Sequence, residues 1–346
     1  MRKALPVLIL LCALLLGACG ARAEEPYSLT LWYIETDPLA DPVIRLVEAY
    51  NRERGRDALA VTVRGWTDEE HLLSALQSGA RPALVLCTHA LAFTLQDRDM
   101  LRDLPLSGPS YPAWLCDRSP CVGHGFFPIG SELDLLCAQA GFSAALPELL
   151  EQSAAYGREN AAPCLSVERF APLFYQVLLD AGVEFSADSQ RDVFSENYVN
   201  LYNALAEAVF DGGLTGSGSL DTSCRIASST ALRTRDLGAC RLSPLSDGPL
   251  LAVCRGLAVT VRDTRMQRAL PDFLRWLMQT DRLSGAALES GLIPAAEDPL
   301  PPRTDLEAEL VLLQRRILHL PDPGCSYYVN QSAFEAEFRA ALELLH

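Results

Sequence analysis

Apolar and polar positions alternate most clearly over residues 28–104, where strand and helix patterns follow one another. A short run of β-favouring apolar residues at 29–34 predicts the first strand. Apolar residues then recur at the i, i+3, i+4, i+7 spacing of one buried helix face, and Gly55 ends that helix. The positions of this face are Val43, Leu46, Val47 and Tyr50.

The same strand-and-helix unit repeats along the next forty residues or so. Residues 59–63 alternate as a strand does, and Thr67 and Glu70 have the spacing of a capping box at a helix start. Residues 83–87 (ALVLC) predict a third strand, apolar on both faces as central parallel strands are. Strand, helix, strand, helix, strand with short loops predicts a parallel sheet with right-handed crossovers, half of a doubly wound α/β domain.

Five short segments of this stretch together carry a family resemblance. In chain order they are LTLWY, LVEAYNRERG, LLSALQSG, PALVL and MLRDL. With these segments the chain resembles the extracellular solute-binding proteins of bacterial ABC importers, and among them the binding proteins for sugars and oligosaccharides. The resemblance implies an α/β protein with the two-lobed periplasmic-binding-protein-like (type II) fold. In that fold each lobe is expected to be a mostly parallel sheet flanked by helices.

The resemblance also implies where the chain first crosses from one lobe to the other. Phe126, Phe127, Pro128 and Gly130 match the family's aromatic-proline-glycine crossover. Residues 133–137 match the strand that follows the crossover in the second lobe.

The segment from GLAVTV to SGLIPA resembles the family's return crossover, and Pro271 suggests that its helix starts near that residue. We therefore expect residues 24–125 with 255–300 to form the first lobe, and residues 126–254 with 301–346 to form the second. The other helices predicted by periodicity cover 146–156, 167–181, 195–211, 306–318 and 332–345.

Residues 1–23 have the pattern of an export signal. Arg2 and Lys3 precede a short apolar run, and LLGAC then places Cys19 in a lipobox. The apolar run is too short to span a bilayer comfortably. An ordinary signal peptide cleaved after Ala23 is the alternative, because ARA also has small residues at the required positions. The lipoprotein interpretation predicts lipidation of Cys19 and lipid anchoring on the extracytoplasmic face of the cell membrane.

The acidic balance of the chain limits its partners. The 346 residues include 29 Lys and Arg against 44 Asp and Glu, a formal net charge of −15. That balance argues against binding to nucleic acid, which requires clustered Lys and Arg. It leaves small-ligand binding open, because one pocket can differ electrostatically from the whole surface.

The chain has eleven cysteines, a large number for its length. Cys12 would leave with the signal and Cys19 would be lipidated, so an odd number stays in the folded part. Cys116 and Cys121 lie in a turn-rich loop and form a candidate disulfide. A zinc site there is the weaker interpretation, because the spacing is not Cys-x-x-Cys and His124 is the only nitrogen ligand close in sequence. The cysteines expected to be buried core thiols are Cys87, Cys137 and Cys254.

The sequence contains no catalytic or cofactor motif of defined spacing. There is no G-x-S-x-G, H-E-x-x-H or P-loop, and no G-x-G-x-x-G follows a strand. The five histidines are scattered, and none lies beside a matching nucleophile. A glycosidase is the enzymatic alternative, because two distant carboxylates cannot be recognised from one sequence. We expect a protein that is not an enzyme and uses no metal or cofactor.

Open α/β sheets bind ligands beyond the carboxyl ends of their strands, which directs attention to the residues after the predicted strands and at the crossover. Aromatic rings there can stack on a sugar ring, and carboxylates can accept hydrogen bonds from its hydroxyl groups. Each candidate has a structural alternative: the aromatic residues are equally suited to the core, and the carboxylates to a solvated loop. The candidate ligand-binding residues are Trp32, Tyr33, Glu35, Asp37, Trp66, Thr88, His89, Phe126 and Phe127.

These patterns and the resemblance together predict the substrate-binding lipoprotein of an ABC importer. The expected solute is small and polar, with sugars and oligosaccharides as the favoured class, and the expected partners are the transmembrane subunits of the permease. The alternative is a non-transport lipoprotein of the same fold, acting as a ligand sensor or a surface interaction module. Neighbouring permease genes would favour import, and a neighbouring histidine kinase gene would favour sensing.

Overall fold

A computed structural model describes residues 28–55, 58–104, 106, 125–182, 196–216, 222–233, 237, 240–316, 318–319, 335–336 and 338–340. The strands are β1 Ser28–Ile34, β2 Ala60–Trp66, β3 Leu84–Thr88, β4 Phe126–Glu132, β5 Asp134–Ala138, β6 Leu165–Val167, β7 Leu214–Thr215, β8 Cys224–Ser228, β9 Arg241–Pro244, β10 Leu250–Leu251, β11 Val253–Val259, β12 Ile293–Pro294 and β13 Leu318–His319. The helices are α1 Ala40–Glu53, α2 Glu69–Gln77, α3 His89–Asp97, α4 Leu146–Asn160, α5 Ala171–Asp180, α6 Glu196–Phe210, α7 Ser229–Leu232, α8 Thr264–Leu277, α9 Thr280–Glu289 and α10 Asp305–Leu313. The predicted signal, Cys19, Cys116 and Cys121 lie outside the described residues.

The first lobe is built on a six-stranded sheet in the order β12-β4-β11-β3-β1-β2. β1 is parallel to both β2 and β3, so the predicted strand-helix-strand-helix-strand start is confirmed. β11 is antiparallel to β3 and β4, and β12 is antiparallel to β4. The expectation of a mostly parallel sheet is therefore wrong, because β4 leaves this sheet for the second lobe at the end where β11 re-enters it, so the two strands run in opposite directions.

Helices cover both faces of this sheet, as alternating buried positions in its strands require. Leu31 of β1 and Leu86 of β3 pack with α1, α8 and α9 on one face. Trp32 and Val85, which are adjacent to these two residues in their strands, pack with α2 and α3 on the other. Both faces of the central strands are therefore buried.

The second lobe has a five-stranded sheet in the order β7-β6-β8-β5-β9. β6 is parallel to β7 and β8, whereas β5 is antiparallel to β8 and β9, so this sheet is also mixed. Helices α4, α5 and α6 pack on one face around Phe170 and Phe174. The helix predicted to begin at residue 167 begins at Ala171 instead, because Leu165–Val167 form β6.

A single residue, Leu133, separates β4 of the first sheet from β5 of the second. The whole of Phe126–Glu132 is paired within the first sheet. The boundary predicted at residue 126 is therefore wrong, and the crossing lies at Leu133. On the return, Ala252 alone separates β10 from β11, close to the predicted position at residue 255.

One apolar cluster includes both crossing residues and extends from the first sheet to the second. It contains Trp32 and Phe126 of the first sheet, Leu135 of the second, and Leu306 and Leu310 of α10. Since α10 contacts both β12 and β9, it packs against both lobes and does not belong to the second alone.

Two helix starts differ from the predictions. Asp68, not Thr67, caps α2, because its carboxylate accepts a hydrogen bond from the His71 N–H at 2.8 Å. The α8 helix begins at Thr264 and not near Pro271, since the Asp263 side chain accepts hydrogen bonds from the first N–H groups. Pro271 is accommodated inside the helix.

Replacing Gly256 by alanine should destabilise the protein at the closest approach of β11 and β4. A Cβ at this position would lie 2.3 Å from the Phe127 carbonyl oxygen and 2.8 Å from the Pro128 Cα. The strands would have to separate where their register already shifts. We expect Gly256→Ala to lower the free energy of unfolding by about 1–3 kcal/mol, measured by urea denaturation.

Gly285→Ala in α9 is the matched control. The nearest heavy atom to its added Cβ would be Leu300 Cδ1 at 3.7 Å, an ordinary van der Waals contact. Alanine is the better helix former by roughly 0.5–1 kcal/mol, so this variant should gain stability. An equal loss in both variants would contradict the steric explanation.

Candidate functional site

The carboxyl ends of several first-lobe strands meet at one edge of the sheet, beside the second lobe. β1 and β3 are parallel, and β11 runs antiparallel to β3 with Arg255 opposite Thr88. β4 is antiparallel to β11, so its end at Glu132 reaches the same edge. The loop after β1 adds Asp37 there.

Arg255 is the centre of the polar contacts at this edge. Its Nη1 donates to Asp37 Oδ2 at 2.9 Å, and its Nη2 donates to Glu132 Oε2 at 2.8 Å. Asp37 is 7% exposed, and its other carboxylate oxygen accepts a hydrogen bond from the Leu39 N–H at 2.9 Å. The guanidinium therefore joins the β1–α1 loop to the end of β4.

Glu132 carries these contacts across to the second lobe. Its Oε1 accepts a hydrogen bond from Thr230 Oγ1 of α7 at 3.1 Å and lies 3.5 Å from Arg169 Nη2. Arg169, which follows β6, also donates to Asp134 Oδ1 of β5 at 2.8 Å. We call Asp37, Arg255, Glu132, Arg169 and Asp134 the junction network.

Burial and charge oppose each other within the junction network. Burial would raise the pKa of Glu132, but Arg255 and Arg169 outweigh it and hold that pKa below its ordinary value. Burial would lower the pKa of Arg255, yet Asp37 and Glu132 hold it above its ordinary value. These two partners therefore stay ionised.

Asp134 shows the opposite balance. Burial raises its pKa more than Arg169 lowers it, and the negative charges of Glu132 and Glu168 add to the rise. The network thus holds two guanidinium groups among three carboxyl groups. It forms a polar, largely paired floor where the lobes meet.

An aromatic pair lies on β1 and β2 beside the floor. The ring centroids of Trp32 and Trp66 are 4.7 Å apart, and the Arg64 guanidinium lies 4.3 Å from the centroid of Trp66. Trp66 is half-buried, and its Nε1 is buried with no hydrogen-bond partner among the described residues. Trp66 therefore keeps both an accessible ring portion and an unused donor.

Tyr33, Glu35 and Gly65 come together on the opposite face of the same strands. A Cβ added to Gly65 would lie 2.9 Å from Glu35 Oε1 and 3.1 Å from the Tyr33 hydroxyl oxygen. The absence of a side chain at Gly65 therefore gives room to these two polar groups. Glu35 is exposed and Tyr33 is half-buried, so both present polar atoms near the strand ends.

Solved structures share this two-lobed arrangement over nearly the whole chain. A cyclic α-maltosyl-1,6-maltose binding protein from Arthrobacter globiformis has a TM-score of 0.68 at 16% identity, covering 93% of this chain and 95% of its own. Maltose-bound MalE3 of T. maritima has a TM-score of 0.70 at 11% identity, covering 92% and 95%. The spermidine/putrescine ABC transporter substrate-binding protein PotD of Streptococcus pneumoniae has a TM-score of 0.64 at 11% identity, covering 92% and 99%.

The chain has the two-lobed periplasmic-binding-protein-like fold. At these identities the similarity shows the fold alone. No protein-family model matches the sequence, and no curated protein matches it either.

The periplasmic-binding-protein-like fold brings only some of the predicted residues to the lobe junction. Trp66, Glu35 and Tyr33 lie near the ends of β1 and β2 and are at least partly exposed, and Asp37 is held by Arg255 in the junction network. Thr88 caps α3, its hydroxyl oxygen accepting a hydrogen bond from the Leu91 N–H at 3.3 Å. Their roles in ligand binding stay predictions.

Four predicted residues are core residues instead. Phe126 is 0% exposed and Phe127 is 3% exposed, and they pack in the apolar clusters on opposite faces of the sheet. Trp32 and His89 are 4% and 2% exposed. Ligand contact by these four side chains stays a prediction, although each faces a helix-covered side of the sheet or the start of a helix.

Sequence reasoning missed Arg255, Glu132, Arg169 and Asp134. A signal for three of them was present, because VCRGLAV and GSELDLL place single charges inside otherwise apolar strand patterns. Charged side chains are rarely buried unless they are paired, so such positions indicate an ion pair. Their partners lie in distant segments and could not be read from spacing.

Two features are absent from the described residues. No group of three or more His, Cys, Asp or Glu in that part of the chain could hold a metal ion. None of the helices in the same residues combines the length and apolarity needed to cross a membrane. A cavity of about 270 Å³ lies away from the strand ends, beside α10, and is lined by Glu297, Asp298, Pro299, Val311, Gln314 and Arg315.

Replacing Glu132 by glutamine should be costly, because Arg255 would lose one of its two buried carboxylate partners. We expect Glu132→Gln to lower the free energy of unfolding at pH 7 by about 3–5 kcal/mol, the range for breaking a buried ion pair. Urea denaturation measures the loss. Glu48→Gln, on the exposed side of α1, is the matched control and should change stability by less than about 0.5 kcal/mol.

The pH dependence of that loss tests its electrostatic origin. The pKa of Glu132 is lower in the folded chain than in the unfolded one, so its contribution is fully present above the unfolded value of about 4.3. The contribution is lost as the pH falls through the folded pKa. The difference between wild type and Glu132→Gln should therefore shrink below about pH 4.3, and a difference independent of pH would contradict the assignment.

Proposed function

We propose that the chain is the substrate-binding component of an ABC importer, which captures a small polar solute between its lobes and delivers it to a permease. The observation that carries this proposal is the meeting of both lobes at the carboxyl ends of β1, β3 and β4, where open α/β sheets bind ligands. The names of structures with the same fold support it, since they are binding proteins of ABC transporters or of oligosaccharides. The proposal assigns binding and no catalysis.

A neutral carbohydrate is the proposed class of solute. Trp66 offers a partly exposed aromatic side chain on which a sugar ring can stack. Glu35 and Tyr33 lie on the opposite face of the same strands, so their polar atoms would contact a different unit of the solute. Two of the neighbouring proteins are named for maltose or a maltosyl sugar, and a third for spermidine and putrescine.

A polyamine fits the junction less well than a sugar. A polyamine requires carboxylates that are free to pair with its ammonium groups. In the junction network Asp37, Glu132 and Asp134 each lie within 2.9 Å of an arginine nitrogen. Each of these three carboxyl groups thus already has an arginine partner, which favours a solute that brings hydroxyl groups.

A thermal-shift screen tests the class of solute directly. The purified chain would be screened against monosaccharides, oligosaccharides, amino acids and polyamines. A solute present at a hundred times its dissociation constant adds about 2.7 kcal/mol to the free energy of unfolding, which shifts the melting temperature measurably. A shift with polyamines or amino acids alone would overturn the carbohydrate proposal and leave the binding-protein proposal intact.

Trp66→Ala should weaken binding of the saccharide that the screen selects. Truncating a stacking aromatic costs roughly 1–3 kcal/mol, which corresponds to about 5- to 150-fold in the dissociation constant by calorimetric titration. Arg64→Ala should also change the affinity, because a sugar on Trp66 must share the ring with the Arg64 guanidinium or displace it.

Trp276→Ala is the control for loss of a tryptophan. Trp276 lies on α8, where its Nε1 donates to Glu53 Oε2 at 2.9 Å and Arg282 covers its ring, away from the strand ends. The Trp276→Ala variant should bind the saccharide with the affinity of wild type, even if its free energy of unfolding is lower. If wild type, Trp66→Ala and Trp276→Ala all bind the saccharide with equal affinity, Trp66 is not part of the binding site.

We further propose that the chain is a lipoprotein anchored through Cys19, on the evidence of the LLGAC segment alone. Cys19→Ser should move the protein from the membrane fraction to the medium or periplasm and abolish labelling by a fatty-acid analogue. Cys12→Ser, within the same signal, should leave both the membrane location and the fatty-acid labelling unchanged. A Cys19→Ser variant that stays labelled would overturn the anchor.

A further inference from the structure

Two thiols of the second lobe lie side by side on adjacent strands. β5 and β9 are antiparallel with Cys137 opposite Leu242, and Cys240 directly precedes β9. Cys240 and Leu242 both pack against the apolar cluster that contains Cys137, so all three side chains share one face of the sheet. The two thiol groups are hydrogen bonded to each other.

The two thiols differ in access and in chemistry. Cys137 is buried, whereas Cys240 is half-buried at the start of the edge strand β9. Burial raises the pKa of Cys137, and the hydrogen bond to Cys240 raises it further, against the lowering effect of Arg225 on β8. Cys240 is therefore the thiol that a reagent in solution reaches first, and Cys137 lies behind it.

We propose that Cys137 and Cys240 are a redox-active pair that closes to a disulfide between β5 and β9. The oxidant is a small-molecule or protein disulfide. The Cys240 thiolate attacks one sulfur of that disulfide, forms a mixed disulfide and releases one thiol. The Cys137 sulfur then attacks Cys240, forms the Cys137–Cys240 bond and releases the second thiol, so two protein thiols are oxidised and one disulfide is reduced.

The movement that closure requires is small. Side chains related diagonally across antiparallel strands have Cα atoms about 7–8 Å apart, and a disulfide accepts up to about 6.8 Å. An inward shift of roughly 1 Å therefore suffices. Cys240 can make this shift because it lies outside the ladder of β9, and its N–H donates to the Leu237 carbonyl oxygen at 2.9 Å.

A second pair of cysteines offers an internal comparison. The Cys224 N–H donates to the Cys164 carbonyl oxygen at 2.7 Å, so these residues are also neighbours in the second sheet. Both are 1% exposed, and Cys224 packs in the cluster on the other face. A reagent in solution does not reach them in the folded chain, so they should stay reduced.

The test uses the purified full chain with Cys116→Ser and Cys121→Ser, so that the predicted loop disulfide cannot contribute. The protein is equilibrated in buffers of increasing ratio of oxidised to reduced glutathione and then alkylated. Peptide mapping by mass spectrometry without reduction locates each disulfide. Melting temperature is measured on the same samples, and Cys240→Ser and Cys254→Ala are treated in parallel.

We expect a Cys137–Cys240 linked peptide in oxidising buffer, together with a melting temperature roughly 5–10 °C above that of the reduced protein. Cys240→Ser should lose both effects, and Cys254→Ala should keep both. If Cys137 and Cys240 are both alkylated as free thiols in every buffer, or if Cys164–Cys224 forms instead, the proposal is overturned. A chain that binds no saccharide could still form this disulfide. Failure to form the disulfide would therefore leave the proposed function intact, and failure to bind a saccharide would leave the disulfide proposal intact.

Discussion

The two oxygens of the Glu132 carboxylate connect the two lobes. One oxygen accepts from Arg255 in the first lobe, and the other contacts Thr230 and Arg169 in the second. Removing these groups from water is costly, and a hydrophobic replacement of similar shape is often as stable. Such a network constrains the relative orientation of the segments that it joins, because a planar guanidinium group can hydrogen bond to carboxylates in only a few positions. The relative placement of the lobes thus depends on a contact whose main effect is orientation.

Local pattern was sufficient to predict the first half of the six-stranded sheet. The residues of β1, α1, β2 and β3 repeat with the periods of strands and helices, and these periods depend on neighbours close in the chain. The lobe crossing was misplaced by a full strand because Phe126–Glu132 is buried along its whole length. An all-buried strand has the same pattern in either lobe, so sequence alone could not assign it.

The candidate site was only partly predictable because strand order decides exposure. Trp32 and Trp66 both lie near a strand end, yet β1 is inside the sheet and β2 is at its edge. Trp32 is therefore covered from both sides, while Trp66 stays partly open. The Arg255–Asp37 pair joins residues 218 positions apart, a separation at which no spacing rule applies. Such contacts follow from the fold and cannot be inferred before the fold is known.

The one-residue passages at Leu133 and Ala252 restrict how the lobes can move. Each residue has only two soft dihedral angles, and both side chains are buried in the shared apolar cluster. Sliding of one lobe along the other would require longer connections, whereas a rotation about the line through these two residues does not. An opening of the lobe junction about this line would be smallest beside Glu132, which adjoins Leu133, and would increase with distance from it. For a solute of several units, such an opening would change the space around the outer units more than the space around the unit next to Glu132.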